Sequence, residues 1–223
     1  MTSRQIAARG QPAPGLRATI GDDIEAMAEG ATLSRSRVAL RLAVHARWRA
    51  VVCWRIAQAC MRHAALRPVA LLLSDRILAA SGAELRPCSR IGPGVVLKHT
   101  TGIVVGDEVI AGRRLTLHQN VTLGDRRPYG GQPTLGDDVT VGAGACVLGP
   151  ISIGDRAVVA ANAVVLDDVP ADCVVAGAPA RIVNRFGGVP IGASTGYALS
   201  PYVTIPAGQS LAEAAPHDRT PDP

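Results

Sequence analysis

The stretch VVLKHTTGIVVGD, residues 95–107, sets a Lys-His pair, Lys98 and His99, inside a run of valine, leucine and isoleucine. Histidine ionises close to neutral pH, so its imidazole can take a proton from a hydroxyl without starting out charged. A hydroxyl needs such a base, because it is a poor nucleophile at neutral pH. Taken alone, a histidine in an aliphatic run is more often structural, so the chemical reading needs partners. His118, in LTLHQN, is the second candidate. A surface or interface position is the competing and favoured reading for it. The five cysteines, Cys53, Cys60, Cys88, Cys146 and Cys173, show no CxxC spacing. Free thiols in a reducing cytoplasm are therefore expected, and no metal site.

The elements that must position these residues follow a fixed period. Stepping by six from Ile91 meets Leu97, Ile103, Val109, Leu115 and Val121. A second series runs Leu135, Val141, Val147, Ile153, Val159 and Val165. Every member is aliphatic, and the residue two before it is often small or aliphatic, as at Ala145, Ala157 and Ala163. A period of six fits neither an α-helix nor an alternating strand; it is the mark of hexapeptide repeats. Each hexapeptide forms one flat face of a triangular coil, an aliphatic side chain points inward, and stacked coils share one core. The composition agrees, with 48% hydrophobic residues but only 3% aromatic, since a narrow coil interior takes small aliphatic groups. A β-sandwich would show irregular turn spacing and more aromatics. The two series are out of register by the insertion DRRPYGGQPT, 125–134, which should leave the coil as a loop.

The expected organisation of the 223 residues is a disordered N-terminus over 1–15, an α-helical domain over 16–82, a parallel β-helix over 83–183, and an extended or disordered tail over 184–223. Asp22, Asp23 and Glu25 are expected early in a short helix. Ser34 is expected to cap a longer one reaching about His63, with Val38, Leu42, Trp48, Val52 and Ile56 on its apolar side. Pro68 opens a third helix that Gly82 ends. The net charge of +5 does not point to nucleic acid. It is local: eight arginines and no acidic residue lie between Glu29 and Asp75. Such an arm could meet a membrane surface, an acidic polymer or a partner enzyme. The N-terminus lacks a signal-peptide pattern and PVALLL, 68–73, is too short to span a bilayer, so a cytoplasmic protein is expected.

The blocks LKHTTGIVVGDEV, LHQNVTLG, VGAGACVLGPISIGD, AANAVVLDDVP and VAGAPARIV resemble the serine acetyltransferases of the left-handed β-helix superfamily. The resemblance is strong over about 84–183 and weak over the helices. It implies a homotrimer, or a dimer of trimers, with acetyl-CoA as co-substrate in the groove between coils, no metal, and transfer of acetyl to a hydroxyl. It implies that His99 is the general base and Glu84, fifteen residues earlier, its carboxylate partner. A carboxylate on the far ring nitrogen would fix the tautomer and stabilise the imidazolium. The Gly124 N–H is the implied oxyanion donor. Attack is expected to be direct, with Cys146 and Cys173 structural. Gly142, Ala143, Gly144, Ala160 and Ala161 match stretches where the family lets pantetheine approach, and tight coil turns are an equally good reading of them. Arg181, and also Arg185, are candidates for the CoA phosphates.

The sequence departs from serine-specific members at three points. Lys98 replaces the aspartate before the catalytic histidine, Gln132 stands where an Arg-His pair is found, and GATLS, 30–34, lacks the family's Asp-Pro. Those features hold the amino acid's ammonium and carboxylate. The acceptor-side candidates here are Lys98, His118, Arg126 and Arg127. The glutamate at the dyad position and the short DRR loop resemble the colanic-acid-type polysaccharide O-acetyltransferases. The leading expectation is transfer to L-serine or a serine-like amino acid, with a sugar hydroxyl as alternative and a non-catalytic trimeric scaffold as a second alternative. The chain ends HDRTPDP rather than in isoleucine, so no complex with the next enzyme of cysteine synthesis is expected.

Overall fold

The computed structural model describes residues 15–185. The expectations for 1–15 and 184–223 therefore lie outside the described residues, apart from Gly15, Asn184 and Arg185. Four helices precede a left-handed parallel β-helix: α1 (Leu16–Met27), α2 (Arg35–Val44), α3 (Ala46–Met61) and α4 (Arg67–Ser81). No helix of the described residues is long and apolar enough to cross a membrane.

The helices correct the sequence reading in three places. Asp22, Asp23 and Glu25 lie in the second and third turns of α1, whose first turn carries no acid, because the helix already starts at Leu16. The long helix from Ser34 is broken. Ser34 does cap α2 by accepting from the Arg37 N–H, but His45 turns extended (φ −99°, ψ 116°) and α3 starts afresh at Ala46. Arg49 donates to the freed carbonyls of Leu42 and Ala43 at 3.3 and 2.6 Å, which helps stabilise the break without Gly or Pro. The restart moves the buried face of α3 to Trp48, Val51, Trp54, Arg55 and Ala57, leaving Ile56 exposed. Pro68 in the first turn and Gly82 in the left-handed conformation (φ 69°) bound α4 as expected.

The β-helix begins with β1 (Glu84–Leu85), β2 (Arg90–Ile91) and β3 (Val96–Leu97), one strand per face. It continues through β4 (Val104–Val105), β5 (Ile110–Ala111), β6 (Thr116–Leu117) and β7 (Thr122–Gly124). Next come β8 (Thr134–Leu135), β9 (Thr140–Val141), β10 (Cys146–Leu148), β11 (Ser152–Ile153), β12 (Val158–Val159) and β13 (Val164–Val165). The last strands are β14 (Cys173–Ala176) and β15 (Arg181–Arg185). Stacking orders them into a five-stranded sheet β1-β4-β7-β10-β13, a four-stranded sheet β11-β8-β5-β2 and a six-stranded sheet β15-β14-β12-β9-β6-β3. All pairings are parallel except β14 with β15.

Each face buries two aliphatic positions, two residues apart, as with Val95 and Leu97, Leu115 and Leu117, or Val139 and Val141, all fully buried. Full burial of each such side chain contributes about 1.5–3 kcal/mol. This double row explains a phase error in the first hexapeptide series. Leu97 pairs with Leu117, twenty residues on, whereas Val105 pairs with Leu123, eighteen on. Two extra residues therefore lie between β3 and β4. The series passes from one buried row to the other there, unnoticed because both rows are aliphatic. The expected loop is present: Leu123 pairs with Val147, twenty-four residues on, and the excess leaves the coil between β7 and β8.

The helices are fixed to the first coil by a buried ion pair. Asp23 and Arg55 are 0% and 3% exposed and meet at 2.7 Å. Asp23 also accepts from the Gly94 and Val95 N–H groups at 2.8 and 2.9 Å, and Arg55 donates to the Ile91 and Gly92 carbonyls, both at 2.7 Å. Trp54 Nε1 donates to the Arg86 carbonyl at 3.0 Å. The segment 91–95 so held leads directly into Lys98 and His99.

Candidate active site

His99 stands on the corner that carries the two extra residues, 98–103, between the six-stranded and five-stranded sheets, and it is exposed. Lys98 precedes it and is one residue past inward-facing Leu97. The Lys98 N–H donates to the Leu117 carbonyl at 2.9 Å, and the His118 N–H to the Val141 carbonyl at 3.1 Å. Lys98 and His118 are therefore neighbours on consecutive coils, both just past a fully buried leucine.

The register extends this row. Leu117 pairs with Val141, Val141 with Val159, Val159 with Val175, and Ala176 with Arg181. The residues one step along are Lys98, His118, Gly142, Ala160, Ala176 and Arg181. Five inter-strand steps make the row roughly 24 Å long. It has cationic and imidazole groups at one end, an arginine at the other, and nothing larger than a methyl group between. Ala143, Gly144 and Ala161 turn the same corner. Their smallness also serves the coil: a Cβ on Gly142 would come within 2.6 Å of the Ala161 nitrogen, and one on Gly144 (φ +71°) within 2.3 Å of Asn162 Oδ1. Arg181 is exposed, with its guanidinium 3.7 Å from Asp167. Arg185 lies further along β15 and is exposed as well.

The electrostatics concentrate at the Lys98 end. Lys98 Nζ donates to Glu29 Oε1 at 2.9 Å across from the helical region, and Arg47 Nη1 reaches the Lys98 carbonyl at 3.4 Å. Lys98 holds the Glu29 carboxyl below the usual range by its hydrogen bond, against the opposing effect of partial burial; the charges of Lys98, Arg47 and Arg41 add to the lowering. Burial foremost, then the charges of Lys98 and His99, pushes the His118 imidazole down from its ordinary value. Glu29 itself has φ 55° and is followed by Gly30 at φ 81°, a left-handed turn off α1 that glutamate seldom adopts.

Other residues singled out in the sequence are placed elsewhere. Glu84 opens β1, its N–H bonded to the Ile103 carbonyl at 2.8 Å. Its carboxylate pairs with Arg86 at 3.4 Å, and among the described residues no hydrogen bond or ion pair joins it to His99. Gly124 ends β7, and Arg126 and Arg127 follow it on the exposed loop, at the corner between the five-stranded and four-stranded sheets. One chain thus holds His99 and the Gly124 loop on different corners. Gln132 ties that loop to the preceding coil: its Nε2 donates to Asp125 at 3.2 Å and its Oε1 accepts from the Glu108 N–H at 2.9 Å. Sequence reasoning passed over Gln119, next to His118, whose Oε1 is buried without a hydrogen-bond partner among the described residues. A glutamine beside a candidate histidine is the only signal the sequence offers for it. Among the described residues no cluster of His, Cys, Asp or Glu is placed to hold a metal ion.

Known proteins share this fold. A family profile described as bacterial transferase hexapeptide (six repeats) matches residues 132–167. The soybean serine acetyltransferase apoenzyme superposes with a TM-score of 0.69 at 38% identity, over 76% of this chain and 69% of that one. The chain belongs to the serine acetyltransferase family. A serine acetyltransferase solved in complex with CoA is similar too, at 31% identity and TM-score 0.66, over 75% of this chain and 69% of that one. The serine acetyltransferase of Synechococcus elongatus is 36% identical over 142 residues, 63% of this chain. The chain spans 58% of that relative's length, and between 14% and 33% of the plant serine acetyltransferases it matches.

Proposed function

We propose that this family member is an acetyl-CoA-dependent O-acetyltransferase that moves acetyl directly to an acceptor hydroxyl. The observation that carries the reading is the row from Lys98 and His118, beside His99, through Gly142, Ala160 and Ala176 to Arg181. It suits an extended thioester laid along small residues, with its phosphates towards Arg181 and its acyl end towards His99. The relative solved with CoA supports the same donor.

His99 acts as the general base. It takes the hydroxyl proton as the oxygen attacks the thioester carbonyl, and the developing oxyanion is met by a backbone donor, for which Gly124 is the candidate. The carbon–sulfur bond then breaks and the imidazolium returns the proton to the leaving thiolate. Glu84 is assigned the orienting role. Its present partner, Arg86, is exposed and 3.4 Å away, an ion pair worth about 0–1 kcal/mol, so an exchange to His99 is cheap. Because His99 and the Gly124 loop occupy different corners, the complete site is built between two copies in a homotrimer.

The family points to L-serine or a serine-like amino acid as acceptor. A sugar hydroxyl is the second reading, favoured by Gln132 being already bonded to Asp125 and to the Glu108 N–H. The test is thiol release from acetyl-CoA by the purified chain with a panel of hydroxyl acceptors. His99→Ala is expected to lower acceptor-dependent turnover about 100- to 10,000-fold. Unchanged turnover in that variant would overturn the role of His99.

A further inference from the structure

The corner that holds His99 is unbalanced in charge. Lys98 and His118 stand on adjacent rungs, tied by the Lys98 N–H to the Leu117 carbonyl and by the register of β3 with β6. Arg47 reaches the Lys98 backbone, and Arg41 lies over the Trp48 ring, 5.2 Å from its centroid, on the same helical arm. Both arginines act on Glu29 electrostatically, so three cations share one carboxylate here. That carboxylate is already taken by the Lys98 ammonium at 2.9 Å. The pair is half-open rather than sealed, with Lys98 25% and Glu29 55% exposed, so Lys98 can still meet a ligand. Glu29 is presented by two consecutive left-handed residues, Glu29 and Gly30. Gly30 adopts this conformation freely, but at Glu29 it costs about 1–3 kcal/mol; such strain persists where the surroundings hold it, and it clusters at functional sites.

We infer that the Glu29–Lys98 pair selects the acceptor: the site takes a hydroxyl compound bearing an anionic group near the reacting carbon and no free ammonium, a hydroxy acid or hydroxyalkyl phosphate. This rests on the O-acetyltransferase reading above and departs from its amino-acid acceptor. An incoming ammonium would find the Glu29 carboxylate occupied and Lys98 repelling it. An incoming carboxylate or phosphate would complete the charge balance that Glu29 alone leaves short. Lys98 is then the specificity-determining residue, and Glu29 positions it.

The experiment uses the full chain, acetyl-CoA and four acceptors that differ in charge: glycerate, glycerol phosphate, L-serine and serinamide. Products are identified by mass spectrometry and rates are taken by thiol release. The wild type is expected to favour glycerate or glycerol phosphate over serinamide by at least about tenfold in kcat/KM, the scale of one charge pair. Which of the two anions is used faster separates carboxylate from phosphate recognition. Lys98→Ala, and Lys98→Gln as a second variant should the first fold poorly, are expected to erase that preference mainly through KM. That is the pattern of a lost ground-state contact rather than a damaged base. Glu29→Gln, which leaves the Lys98 ammonium without its carboxylate, is expected to keep the preference for anions and to sharpen the exclusion of serinamide. Serinamide used as well as glycerate, or a preference unchanged by both Lys98 variants, overturns the inference while the acetyltransferase reading stands. If no acceptor gives a His99-dependent acetylated product, that reading fails and this inference with it.

Discussion

At the residue scale, what matters at the candidate site is how neighbouring charges and burial set each group. His118 is the clearest case. It is half-buried and faces Lys98 and His99, and all three influences disfavour its imidazolium. Its titration midpoint, followed by NMR, is expected below the ordinary 6.5. In Lys98→Ala it should rise but stay depressed, since burial is the largest cause. A midpoint unchanged by that substitution would show that Lys98 does not face His118. The linkage follows from the same direction. Between the folded midpoint and 6.5 the unfolded chain holds more protons, so stability rises with pH there. The contribution of neutral His118 is present above the unfolded value and is lost as pH falls through the window. Glu29, whose pKa is depressed, adds stability above the ordinary glutamate value of 4.5 that is lost as pH falls through its folded value.

At the scale of elements, the question is what holds β3 and the corner 98–103 in place beneath the helices. The Asp23–Arg55 pair answers it. Both groups are buried, and together they engage four backbone groups of 91–95. Asp23→Ala leaves a guanidinium buried without its counter-charge and is expected to cost about 3–5 kcal/mol in a denaturant titration. Replacing both residues, Asp23→Ala with Arg55→Met, should recover part of that loss, because no unpaired charge then remains. Equal losses in the single and double variants would contradict this account. The break at His45 belongs to the same scale. It lets α3 rotate so that Trp54 and Arg55 face the first coil, while α2 buries none of its residues.

At the scale of the whole molecule, two corners of the solenoid each hold half of the proposed machinery. His99, Lys98 and His118 lie at one, and Gly124, Arg126 and Arg127 at another. In the proposed homotrimer a second copy brings the halves together, so sedimentation equilibrium is expected to give about three or six times the chain mass of 23.0 kDa. A monomer that is fully active would rule out the shared site.

The solenoid was legible in the sequence because its rule is local. Each rung needs an aliphatic residue inward, a small or aliphatic one beside it, and a turn, and this repeats every six residues whatever lies far along the chain. The candidacy of His99 and the small residues at Gly142–Gly144 and Ala160–Ala161 could be read from the same local blocks. Phase could not. The two-residue excess between Leu97 and Val105 is invisible when both buried rows are aliphatic, and only the strand register reveals it. The contacts that set the charge of the site were out of reach for a related reason. Glu29 meets Lys98 across 69 positions, and Asp23 meets Gly94 and Val95 across 71 and 72. Periodicity says what each segment buries but not how one segment is turned against another. That angle is settled by packing Trp48, Trp54 and Arg55 onto the first coil, and with it the identity of the charge beside His99.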